Sequence, residues 1–169
     1  QMCIRDRAIA DHVGPVYLRF GRPKVPVFTN PNQKFEIGKG IKLIEGNDVT
    51  IAATGHLVWE SIEAAKILNQ SGISAEVINI HTIKPLDEKI ILESVSKTKC
   101  IVSAEEHNYL GGLGESISRV LSKNMPLPQE FVATKDTFGE SGTPAELMKK
   151  YGLNSNSIVE KVKKVINRK

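Results

Sequence analysis

Runs of β-branched and aliphatic residues alternate along this chain with stretches whose apolar positions recur every three or four residues, a pattern that predicts parallel strands covered by helices. Val49-Thr50-Ile51-Ala52-Ala53 is the first clear buried strand and ends at Thr54-Gly55-His56. A helix follows with Val58, Ile62, Ala65 and Leu68 on one face, stopped by Gly72. Ala75-Glu76-Val77-Ile78-Asn79-Ile80 reads as a second strand. After His81-Thr82-Ile83-Lys84-Pro85, the residues Leu86, Ile90, Ile91 and Val95 mark a second helix, with Pro85 suited to its first turn. The third strand, Cys100-Ile101-Val102-Ser103-Ala104, is expected to break into Glu105-Glu106-His107-Asn108. Gly111-Gly112-Leu113-Gly114 then opens a helix carrying Leu113, Ile117, Val120 and Leu121.

Glu130-Phe131-Val132-Ala133-Thr134 predicts a fourth strand, and a glycine-bearing loop leads from it to Thr143-Pro144-Ala145-Glu146. Those four residues have the form of a capping box, with proline at the first helical position. A last helix starts near Asn154 or Ser155 and carries Ile158, Val159, Val162, Val165 and Ile166 on one face. The front third reads differently. Ile9 to Val13 ends a helix, Val16-Tyr17-Leu18-Arg19-Phe20 reads as a strand, and Pro23, Pro26, Asn30 and Pro31 make a linker. A single strand there has no sheet to join, so the segment makes physical sense as the end of a preceding domain.

With 169 residues, 40% of them hydrophobic and 25% charged, the chain has core material for about one domain. No apolar run reaches the roughly 18 residues of a membrane span, and no apolar signal core follows the N-terminal charges, so a cytoplasmic protein is expected. Two cysteines, Cys3 and Cys100, are poor material for a disulfide framework or a metal cage. The net charge of +4 owes much to Lys161, Lys163, Lys164, Arg168 and Lys169. Spaced among valines and isoleucine, they describe the solvated face of a helix and not a nucleic-acid surface.

In a doubly wound sheet, ligands and partners sit beyond the carboxyl ends of the strands, which directs attention to the loops after Ala53, Ile80, Ala104 and Thr134. Gly111-Gly112-Leu113-Gly114 at a helix start has the look of a phosphate cradle. Its spacing fits neither nucleotide-binding loop, and tight loop-to-helix packing is the better reading. His107 beside Glu105 and Glu106 offers acid-base or metal-ligating groups, but consecutive strand positions cannot all face one ion. His56 and His81 are lone histidines at strand exits, for which satisfied structural roles are expected. Arg19 and Arg22 flank Phe20-Gly21, where guanidinium groups can clamp a phosphate or carboxylate or else make a surface salt bridge.

Gly14-Pro15-Val16-Tyr17-Leu18-Arg19-Phe20-Gly21-Arg22-Pro23-Lys24-Val25-Pro26 resembles the end of the pyrimidine-binding domain of transketolases. The likeness continues in order through Phe35-Glu36-Ile37-Gly38-Lys39, residues 48–55, residues 77–85, Ala104-Glu105-Glu106-His107-Asn108, Gly111-Gly112-Leu113-Gly114 and Phe138-Gly139-Glu140-Ser141-Gly142. It covers residues 8–169 and is greatest to the C-terminal section of split transketolases. The fold so implied is α/β, a mostly parallel sheet with helices on both faces. Residues 1–7, which depart from the family and resemble translated adapter sequence, read as a non-native leader. Residues 8–23 read as the tail of a truncated pyrimidine-binding domain, 24–35 as a linker and 36–169 as the transketolase C-terminal domain.

The resemblance implies a thiamine-diphosphate enzyme, with Mg2+ on the diphosphate, that moves a two-carbon ketol unit between sugar phosphates in the pentose phosphate pathway. It implies an N-terminal subunit or domain as partner and a homodimeric contact through the C-terminal domain. Arg22 falls where the family holds its sugar phosphate, Arg19 stands near it, and Glu106 with His107 falls at inter-subunit contacts. No catalytic, cofactor-binding or metal-binding residue carries over, so the fragment alone is expected to be inactive and to bind no cofactor. Deoxyxylulose-phosphate synthase and the β chain of 2-oxoacid dehydrogenases match these motifs less well. A non-catalytic interaction module formed by residues 36–169 is the reading from a different class.

Overall fold

The structure, a computed structural model, describes residues 2–21, 25–30 and 33–169. Five strands form one sheet: β1 (Ile41–Ile44), β2 (Val49–Ala53), β3 (Ala75–Asn79), β4 (Ile101–Asn108) and β5 (Gln129–Thr134). Their order is β1-β3-β2-β4-β5. β2 runs parallel to β3 and β4, and β4 parallel to β5, whereas β1 is antiparallel to β3. Six helices accompany them among the described residues: α1 (Met2–Ala10), α2 (Leu57–Gln70), α3 (Glu88–Thr98), α4 (Leu113–Asn124), α5 (Pro144–Lys150) and α6 (Ser155–Ile166).

Every residue of β2 and β3 is buried, as strands covered on both faces must be. One face of the sheet packs under α2 and α6, where Leu57, Ala64 and Leu68 meet Ile158, Val162 and Val165. The other lies under α3 and α4, where Ile91 and Val95 join Ile117 and Leu121 against Ile78 and Ile101. The α/β reading of the sequence therefore describes the molecule, helices on both faces included.

Five local expectations change. β1 lay unread in Ile41-Lys42-Leu43-Ile44, a short, partly exposed edge strand. β4 does not break at Glu105 but runs on to Asn108, because β5 resumes pairing there, Asn108 opposite Thr134, after an irregularity past Ala104. Helix α3 begins at Glu88, not at Pro85: Asp87 is its cap, accepting from the Ile90 amide at 3.3 Å and also from the Gly40 amide at 2.9 Å. Residues 16–20 form no strand, since no described segment lies alongside to accept and donate their backbone hydrogen bonds. The early helix ends at Ala10, before Val13.

Two carboxylates hold the periphery. Glu130 of β5, 6% exposed, receives Lys161 at 3.0 Å, Lys164 at 3.0 Å and Arg168 at 2.6 Å, all from the α6 end of the chain. The basic face expected to be solvated is thus partly folded onto the sheet edge. Burial pushes the Glu130 carboxyl up, but the two lysines outweigh it and hold it below its ordinary value of 4.5. On β3, the fully buried Glu76 meets Lys97 at 2.5 Å and Lys42 at 3.5 Å, and there too the lysine contacts override burial and lower the pKa.

Candidate functional site

The chain leaves β2 toward β3 on one side and returns past it to β4 on the other, so the carboxyl ends of β2 and β4 frame the point where strand order reverses. Such a point opens a crevice in sheets of this kind. Here it is framed by Thr54, Gly55 and His56 after β2 and by the last residues of β4. Gly55 takes a left-handed conformation, φ +60°, which turns the chain so that His56 occupies the cap position of α2. The imidazole makes no capping bond to the helix. Its Nδ1 instead faces Glu106 Oε2 at 3.7 Å.

Consecutive β4 side chains point to opposite faces, and Glu105 and Glu106 divide accordingly. Glu105, 3% exposed, turns to the start of α4, where its two oxygens accept from the Leu113 amide at 2.7 Å and the Gly114 amide at 2.8 Å. A Cβ on Gly112 would come within 2.2 Å of that carboxylate. The glycine-bearing helix start that had the look of a phosphate cradle therefore already holds an anion, and it is the chain's own. Close packing explains these glycines: a Cβ on Gly114 would reach 2.3 Å from the Phe131 ring and 2.8 Å from Ser103 Oγ.

Residues 19–21 lie across this edge. The Arg19 guanidinium donates to the Glu106 backbone oxygen at 3.4 Å, and Gly21 rests against the His56 ring so closely that a Cβ there would stand 2.3 Å from Nε2. Beside them opens a cleft of about 460 Å3, with Gly21, His56, Glu106 and Thr134 on one side and Leu147, Met148 and Tyr151 from the α5 region on the other. Helix α5 is started by its capping box, the Glu146 carboxylate accepting from the Thr143 amide at 2.9 Å and hydroxyl at 2.7 Å. Asn108 at the end of β4 donates to Asp136 Oδ1 at 2.8 Å, which ties the two strand exits together.

Of the residues singled out in the sequence, Arg19 and Glu106 come together here. His107 is exposed, and its Nδ1 lies 3.2 Å from its neighbour's carbonyl, Asn108 O. Arg22 lies outside the described residues. His56, read as a structural histidine, turns out to stand in the crevice between Glu106 and Gly21; its place after a strand at the sheet's reversal point was the available signal. His81 has a structural setting, stacked on Phe35 at 4.4 Å with Nδ1 3.0 Å from Thr82 Oγ1. Burial and then the Arg5 charge push its pKa down, which favours the neutral ring.

Among the described residues no group of three or more histidine, cysteine or acidic side chains is placed to hold a metal ion, and no helix is long and apolar enough to cross a membrane. The crevice offers a guanidinium, a carboxylate and an imidazole. It can bind and orient an anionic ligand or a polar partner surface, but among the described residues no nucleophile with an oriented base stands in it.

Residues 38–158 match the family described as transketolase, C-terminal domain. The subunit SqwH of a 6-deoxy-6-sulfo-D-fructose transketolase from Clostridium sp. strain MSTE9 is 43% identical over 161 residues, 95% of this chain and 50% of that protein. A candidate transketolase C-terminal section of Methanocaldococcus jannaschii is 41% identical over 160 residues, 92% of this chain and 49% of that one. The solved structure of a split-gene transketolase, an inactive β4 tetramer, superposes with a TM-score of 0.92 at 43% identity, covering 97% of this chain and 55% of that chain. The chain spans about half the length of the curated relatives it matches.

Proposed function

The chain belongs to the transketolase family through its C-terminal domain, and on that premise we propose that it is the C-terminal part of a thiamine-diphosphate-dependent transketolase. In this reading the enzyme moves a two-carbon ketol unit between sugar phosphates, and this chain acts only together with an N-terminal partner subunit or domain. The observation that carries the reading is the likeness, over nearly the whole chain, to a split-gene transketolase whose own β4 assembly is inactive. A sulfonated sugar in the name of the Clostridium relative fits the same chemistry, because an arginine fork takes a sulfonate much as it takes a phosphate.

Thiamine diphosphate, when bound, would supply the carbanion-stabilising centre of such an enzyme, with Mg2+ balancing the charge of its diphosphate. The described residues do not fit that group: the one glycine-bearing helix start at the crevice is filled by Glu105, and no metal-ligating cluster is present among them. The cofactor seat is therefore assigned to the partner and to the pyrimidine-binding domain, of which residues 8–23 are the tail. What this chain contributes is substrate orientation. Arg22, with Arg19 beside it, holds the anionic end of the sugar, while Glu106 and His107 meet the neighbouring subunit.

The test is a ketol-transfer assay with thiamine diphosphate, Mg2+ and pentose phosphates on this chain mixed with an N-terminal half that includes the pyrimidine-binding domain. The mixture should turn over, and Arg22→Ala should raise the KM for pentose phosphate by about tenfold or more, the loss of roughly 1.4 kcal/mol or more of binding. A KM unaffected by Arg22→Ala removes the substrate role assigned to this segment.

A further inference from the structure

We propose that His56 is a positioning residue that seats the chain at Gly21 and so holds the Arg19 guanidinium at the crevice edge, on Glu106. The inference rests on the ketol-transfer reading for what that arginine binds, but the seat itself is a matter of geometry.

Three contacts make it. The imidazole lies against Gly21, whose missing Cβ leaves the room: built there, that atom would be 2.3 Å from Nε2, 3.1 Å from Cε1 and 3.3 Å from Cδ2. On its other side the ring meets Glu106, Nδ1 to Oε2 at 3.7 Å. Glu106 in turn receives Arg19 through its backbone oxygen at 3.4 Å. The ring is thus a wedge between a strand end and a segment that has no sheet hydrogen bonds of its own.

Nothing in the helix demands a histidine at this position. His56 makes no side-chain cap bond, its backbone is already helical at φ −62° and ψ −30°, and Ser, Thr, Asp or Asn would cap α2 better. Gly21 likewise is not among the glycines with a left-handed backbone, so its need for glycine comes from the ring and not from its own conformation. Each residue is explained by the other. Because residues 16–21 have no sheet hydrogen bonds to hold them, loss of the wedge frees Arg19 to move off the crevice edge. An arginine displaced by about 1 Å from a bound anion loses much of its grip on it.

The experiment pairs a double-mutant cycle with a direct view of the seat. In the full chain, proton NMR should show contacts between the His56 ring and the Gly21 α protons, and His56→Ala should shift the Gly21 and Arg19 resonances. In the mixture with the N-terminal half, His56→Ala should raise the KM for pentose phosphate about five- to tenfold with kcat within about twofold, and His56→Gln should recover part of the loss. Gly21→Ala should do the same by driving the ring off Glu106. The double variant Gly21→Ala/His56→Ala should be no worse than either single one, because the added methyl then has space.

Unshifted Gly21 and Arg19 resonances in His56→Ala would overturn the seat whether or not the mixture is active. An active mixture with unchanged KM, or with losses that multiply in the double variant, would overturn the positioning role while leaving the transketolase reading intact. An unmodified mixture that never transfers a ketol unit would count against the transketolase reading, and the resonances would still decide the seat.

Discussion

Glu105 is the residue on which the local architecture of the crevice turns. Its buried carboxylate receives two amides at the first turn of α4, and the same placement commits Glu106 to the opposite face of β4, toward His56. Removing it leaves two amides unpaired in a buried setting, at a cost of roughly 3 kcal/mol. For a chain of this size that corresponds to a fall in Tm of about 6 to 12 °C. Glu105→Ala should show that fall in calorimetry, and Glu105→Gln, which keeps one acceptor oxygen, should lose less. A Tm within about 2 °C of the unmodified chain for Glu105→Ala would mean that the helix start does not depend on this anion. The glycines at 112 and 114 were legible in the sequence as close-packing positions, but which anion fills the helix start was not. A glutamate six residues before a glycine-rich turn carries no mark of facing it until the strand is seen to continue. The contacts of His56, a histidine the sequence marks only by its place at a strand exit, were hidden for a similar reason, since its partners Gly21 and Glu106 are 35 and 50 positions away in the chain.

The elements were legible to the extent that each buries a face of its own. α2, α4 and α6 announced themselves by apolar spacing, and each buries that stripe. β1 did not, because four partly exposed residues joined antiparallel to β3 lack the long apolar run by which the central strands stand out. Residues 16–20 have strand-like composition without a partner strand among the described residues, and composition alone cannot supply one. The junction of α6 with β5 gives a measurable consequence. Glu130 is held below its ordinary pKa of 4.5 by Lys161 and Lys164 against the opposing effect of burial. A carboxylate depressed on folding stabilises fully above its unfolded value, and that contribution disappears as pH falls through the lower, folded value. Glu76, also lowered, adds in the same direction. The urea midpoint should therefore hold steady in this respect above about pH 5 and decline below about pH 4.5. In Glu130→Gln the midpoint should be lower at neutral pH, and its distance from the unmodified chain should narrow on acidification. A gap that stays constant from pH 7 to pH 3 would contradict the assignment.

At the scale of the molecule, the sheet and its two helical layers form a complete core, but the residues before the sheet do not. Val13, Tyr17 and Val27 are each about nine-tenths exposed or more, and so is Phe138 on the loop after β5. Apolar side chains standing in water along the segment that carries Arg19 and Gly21 mark a surface that gains by being covered. We assign that cover to the partner half, in keeping with the half-length of the chain against its relatives. The measurement that tests this most directly is a titration. A fixed amount of this chain is mixed with rising amounts of the N-terminal half, with thiamine diphosphate, Mg2+ and pentose phosphates in excess, and ketol transfer is followed. Activity should be at background without the partner, rise with it, and level off when the two are equimolar. Transfer by this chain alone, or none at any ratio, would contradict the proposal that the active enzyme is assembled from both.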